Sequence, residues 1–139
     1  MRIPLFIVGI LGLLVSSYLL VAYTTGGPIT CTGGHGCETV RASIYSSFMG
    51  VPTPAYGVLY YALLIVGSLL LASIHAVVIK QCLKTLTLSG LLVSLFLTYI
   101  EAFVIEAWCL WCVVSAILAL LAFLLVWFKG TKDNNDHRN

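Results

Sequence analysis

Between Arg2 and Glu38 the chain carries no charged residue, and three comparably bare runs follow, at 51–79, 85–107 (broken only by Glu101 and Glu106) and 107–128. A helix rises ~1.5 Å per residue, so about 20 apolar residues cross a ~30 Å hydrocarbon core. Backbone amides in lipid must be satisfied within the segment, which makes each run a helix. The rest of the composition agrees. With 60% hydrophobic and 9% charged residues, the chain has too little charge to coat a soluble globule of its 139 residues. A net charge of +2 with scattered basic residues also gives no nucleic-acid footprint.

These runs predict an all-α integral membrane protein, a bundle of four transmembrane helices at about 3–23, 54–79, 85–107 and 109–128 within a single domain of residues 1–130. The first run is longer than the ~7–15-residue core of a signal peptide and no Ala-x-Ala site follows it, so it reads as a retained helix. Residues 24–53 are rich in Gly, Thr, Ser and Pro and form a loop outside the lipid. Within it, Val40, Ile44 and Phe48 recur at helical spacing, which predicts a short interfacial helix over about 38–48. The second and third spans are separated by the turn Lys80-Gln-Cys-Leu-Lys84. The polar residues 131–139 read as a disordered tail.

Basic residues orient the bundle. Arg2, Lys80, Lys84, Lys129, Lys132 and Arg138 fall on one side of this topology and Arg41 alone on the other, which puts both termini in the cytoplasm and the 24–53 loop outside. The five cysteines then sort themselves. Cys31, Cys37, Cys109 and Cys112 lie at the outer face, where disulfides persist, and Cys82 lies inside, where thiols stay reduced.

Cys109-Leu-Trp-Cys112 opens the last helix, so its sulfurs share one helical face and the first stands at the positive end of the helix dipole, which favours the thiolate. Cys112 should sit roughly 4–5 Å deeper than Cys109, a position suited to a lipid-soluble electron acceptor. Cys31-Thr-Gly-Gly-His-Gly-Cys37 is a second pair on a glycine-rich, bendable loop. A mobile pair beside a helix-anchored pair reads as a thiol–disulfide relay. Two other readings of the same residues are a static disulfide-stapled scaffold and a metal site of cysteines with His35.

Four features together resemble the vitamin K epoxide reductase family in its short prokaryotic form. They are Cys31-x5-Cys37 after the first helix, Cys37-Glu-Thr-Val-Arg-Ala-Ser43, Gly50-Val-Pro leading into Pro54-x2-Gly57, and Trp108-Cys-Leu-Trp-Cys-x2-Ser115-Ala116. The resemblance implies a helical bundle around a quinone of the menaquinone or ubiquinone type. Electrons would pass from a separate extracytoplasmic thioredoxin-like partner to Cys31 and Cys37, then to Cys109 and Cys112, then to the quinone facing Cys112. It also carries over Ser43 as the family's loop serine and Thr53 as a polar residue near a quinone carbonyl. Tyr56, Trp111 and Ser115 are further candidates for the pocket, with Trp108, Tyr60 and Tyr61 as aromatic neighbours. No metal is expected. If the third helix runs straight to Trp108, Glu101 should lie about 12 Å below the level of Cys109.

Overall fold

The computed structural model describes residues 2–26, 39, 42, 44, 47–74, 77–106 and 108–129. Four helices long and apolar enough to cross a membrane make up almost all of it. They are α1 (Arg2–Thr25), α2 (Thr53–Ser73), α3 (Val77–Tyr99), which continues as a π-helical segment Ile100–Ile105, and α4 (Leu110–Leu124), which continues as a π-helical segment Leu125–Lys129. The expected all-α membrane bundle is the fold.

Successive helices are antiparallel. Gly9, Gly12 and Ser16 of α1 face Ile65, Tyr61 and Gly57 of α2, so one chain position rises as its partner falls. The same holds for α2 and α3, where Gly67 meets Leu83 and Gly90 meets Tyr60. It holds again for the third and fourth helices, where the Lys84 ammonium sits 5.7 Å from the centre of the Trp127 ring while Glu101, later in the chain, meets Cys109 at the start of α4. Small residues at these crossings let backbones approach closely, which is how helices gain dispersion energy when lipid competes for every apolar side chain. Away from the crossings, large apolar residues such as Leu14, Val78 and Phe103 are exposed, as lipid-facing surfaces require.

Two apolar clusters occupy opposite ends of the bundle. One joins Leu5, Tyr61, Leu64, Leu83, Ala122 and Val126. The other joins Leu19, Ala22 and Cys109.

Two boundaries differ from expectation. Lys80 to Lys84 is no turn but part of α3, and the reversal comes earlier, at Ile74, where the backbone is extended (φ −133°, ψ 118°). A run of residues 51–79 exceeds what one ~20-residue span needs, and lysine stems reach outward from the first turns of a helix. The interfacial helix expected over 38–48 is also cut short. Thr39 and Ala42 are helical, but Ser47–Phe48 is a short strand, β1, paired antiparallel with β2 (Val51–Pro52). Met49 and Gly50 both have positive φ, 54° and 79°, which is the combination a two-residue hairpin turn uses. Ile44 lies in a 3₁₀ turn, and the other residues of that stretch, with the tail from 130 onward, lie outside the described residues.

Candidate functional site

The last helix begins at Cys109, whose backbone is extended (φ −95°, ψ 115°) and whose sulfur caps the helix by accepting the Cys112 N–H at 3.4 Å. Cys109 is fully buried. Its thiol pKa lies below the ordinary cysteine value, chiefly because the Cys112 thiol donates to its sulfur. Backbone amides of Cys112 and Trp111 assist, whereas burial and the nearby Glu101 carboxyl oppose. The sign gives a test. A thiolate held this way persists to lower pH than a free cysteine's, and Cys112→Ala removes its largest support. Titrating thiolate ultraviolet absorbance in protein lacking Cys31, Cys37 and Cys82 should show an early step that moves to higher pH in Cys112→Ala.

The third helix does not run straight to Trp108. Its final turns widen into the π-helical segment, and Glu106 then adopts a left-handed conformation (φ 58°, ψ 34°), its N–H returning to the Glu101 carbonyl. The chain therefore folds back on itself. Instead of lying about 12 Å below Cys109 as a straight helix would put it, the Glu101 carboxyl accepts the Cys109 N–H at 3.4 Å. The Cys112 thiol is also its hydrogen-bond partner. Glu101 is buried, 6% exposed.

Cys112 and Glu101 both open onto a cavity of about 260 Å³ in the same half of the bundle as Cys109. Its wall is mostly apolar and draws on all four helices, with Leu19 from α1, Tyr60 from α2, Val93 and Leu97 from α3, and Ala116 and Ala119 from α4. Thr53, Tyr56 and Ser115 line it as well. Tyr56 donates to the Phe48 carbonyl at 2.9 Å, tying the hairpin to α2, and the Ser115 hydroxyl lies 3.0 Å from that of Tyr61. Trp111 stands apart from the lining residues and packs on Tyr18, ring centres 5.1 Å apart.

Adjacent positions on a helix point about 100° apart, so Tyr60 and Tyr61 have different neighbours. Tyr61 packs against Gly12 of α1, donates to the Ser115 carbonyl of α4 at 2.8 Å and contributes to the cavity wall with its hydroxyl satisfied. Tyr60 borders the cavity, and its buried hydroxyl has no hydrogen-bond partner among the described residues. Such a group is costly unless something fills the space beside it. Cys31, Cys37 and Ser43 lie outside the described residues.

A mostly apolar chamber with a cysteine sulfur in its wall and one orphaned hydroxyl donor has the chemistry of a binding site for an apolar molecule carrying a hydrogen-bond acceptor. The model of the vitamin K epoxide reductase family matches residues 3–127, nearly the whole chain and every element described above. The chain belongs to the vitamin K epoxide reductase family and is a multi-pass membrane redox enzyme of the thiol and quinone oxidoreductase kind.

Proposed function

We propose that this protein oxidises the thiols of a separate thioredoxin-like partner outside the cytoplasm and delivers the electrons to a membrane quinone of the menaquinone or ubiquinone type. Cys31 meets the partner, Cys37 exchanges with Cys109, and Cys112 faces the quinone. Both termini and the Ile74 reversal lie on the cytoplasmic side, and the Cys109 end of the bundle lies outside. Residues 1–130 act as one catalytic domain.

One observation carries this reading above the rest. Cys109 is fully buried while its neighbour Cys112 lines the apolar cavity. A folded partner cannot reach a sulfur with no exposed surface, so electrons must arrive through an intermediary, and a loop pair on the same chain is suited to that role. The residues present also fit a quinone. The cavity is mostly apolar, its wall is shared by four helices, and the unpaired Tyr60 hydroxyl can donate to a carbonyl oxygen. When bound, the quinone supplies a two-electron acceptor, and its potential sets the direction of transfer. About 100 mV of difference shifts a two-electron exchange on the order of a thousandfold.

What the protein itself contributes is order and protection. Cys109 holds a stabilised thiolate behind Cys112, and the mostly apolar wall of the cavity surrounds the Cys112 sulfur.

The test is reduction of a soluble quinone analogue by purified protein and dithiol, with a thiol count and metal analysis alongside. A relay is isolated with disulfides and turns over. A metal site would instead yield bound zinc or copper with free thiolates, and an inert scaffold would yield disulfides without turnover. Tyr60→Phe adds a finer check. Loss of one neutral hydrogen bond, about 0.5–1.5 kcal/mol, should raise the KM for quinone about 2–10-fold. The melting temperature should hold or rise, because the hydroxyl removed has no partner in the protein.

A further inference from the structure

Among the described residues, Glu101 is the only carboxyl lining the cavity. A carboxyl within a membrane span is expensive to keep and usually has a job there. The backbone around it is unusual too. It sits at the start of a π-helical segment closed by the left-handed Glu106, and both features concentrate at functional sites. The consequence is geometric, since the fold-back brings one carboxyl against the Cys109 amide, the Cys112 thiol and the cavity together.

We propose that Glu101 is the catalytic proton carrier between Cys112 and the electron acceptor in the cavity. This rests on the quinone reading above. In each turnover the Cys109 and Cys112 sulfurs join in one S–S bond and two electrons pass to a quinone-class acceptor, which leaves as the quinol with two added protons. Cys109, favoured as thiolate, has already released its proton to the outer solvent. Cys112 must lose its own to become the electron donor, and the Glu101 carboxylate in contact with it accepts that proton. Glu101 then returns the proton to the cavity, where the acceptor's oxygens take it up, and the second proton is drawn from the outer solvent. The other titratable groups in the wall besides Cys112 are Tyr23, Tyr56, Tyr60 and Tyr61. Phenols, with an ordinary pKa near ~10, release protons too reluctantly at neutral pH to serve as acceptors from a thiol.

Glu101→Gln keeps the size and an oxygen for the Cys109 amide but cannot carry the proton. Single-turnover oxidation of the pre-reduced protein by a ubiquinone or menaquinone analogue should slow by about a hundredfold or more, the usual worth of a positioned acid–base group, while dithiol reduction of the Cys109–Cys112 disulfide stays within about threefold. A second readout needs no quinone. Infrared difference spectra of quinone-free protein between its disulfide and dithiol forms should contain a carboxyl band that E101Q lacks.

Near-normal oxidation of E101Q by quinone, equal loss in both half-reactions, or no carboxyl change in the quinone-free spectrum would each overturn the proposal. Should E101Q fail to fold, Glu101→Asp, which retains a carboxyl, must keep both the infrared band and measurable quinone reduction. A wild-type protein inert toward both classes of analogue would sink the quinone reading itself and this inference with it. That outcome is distinguishable because E101Q is read only against an active wild type.

Discussion

Replacing Cys112 by alanine should reduce quinone turnover to background, a loss of about a thousandfold or more, because the proposed relay gives this residue the hand-over of electrons and the substitution removes it outright. Cys109 cannot take its place. It is fully buried and does not border the cavity, so no acceptor there can approach its sulfur. Cys31→Ala should behave differently, keeping most turnover with a small dithiol while losing use of a protein partner. The contrast tests the order of the relay rather than the mere need for cysteines. Undiminished quinone reduction in Cys112→Ala would refute the assigned sequence of transfers, and equal losses with both thiol sources in Cys31→Ala would refute the role given to the loop pair. Steady-state reduction of a quinone analogue, run once with dithiol and once with a reduced thioredoxin-like protein, measures both.

The number and kind of spans were legible because charge is nearly absent from four stretches and lipid leaves few options for such stretches. Their ends were less so. Lys80 and Lys84 look like the flanks of a loop, yet both stand on α3, and Lys84 reaches over Trp127. A lysine marks the neighbourhood of a membrane surface without saying whether the helix has begun. The true reversal at Ile74 carries no charge to announce it.

The same limit applies at the site. Cys109-Leu-Trp-Cys112 was readable as a helix start because spacing and dipole fix the geometry locally. The meeting of Glu101 with both cysteines was not, since it depends on a widened turn and a left-handed Glu106, and no apolar periodicity separates a π segment from the helix it continues. Tyr60 could be placed among the candidate aromatics but not told from Tyr61. Only the packing of Gly12 and Ser115 against one ring, and of Gly90 beside the other, shows that the Tyr61 hydroxyl is tied to α4 while that of Tyr60 is left without a partner. A signal for Trp111 was absent as well, because an aromatic beside a CxxC reads alike whether it borders a ligand or packs on Tyr18.

Gly12→Ala should be the most damaging single-methyl addition among the described residues of the bundle. A Cβ at Gly12 would collide with the Tyr61 ring. That ring cannot retreat easily. It is 1% exposed, and its hydroxyl is held by the Ser115 carbonyl and hydroxyl across the bundle. Overpacking a fixed core of this kind costs about 1–3 kcal/mol, and thermal unfolding in detergent should show it. Gly90→Ala presses on a ring of a different kind, since Tyr60 has an unbonded hydroxyl and a cavity beside it, so its cost should be smaller. If the Gly12 penalty is steric, a smaller partner relieves it. Gly12→Ala combined with Tyr61→Leu should be less destabilised than the sum of the two single variants by about 1 kcal/mol or more, the coupling expected of residues in direct contact. Strict additivity would mean that α1 and α2 do not meet at these positions, and the antiparallel register that brings Cys112, Tyr60 and Glu101 around one cavity would have to be redrawn.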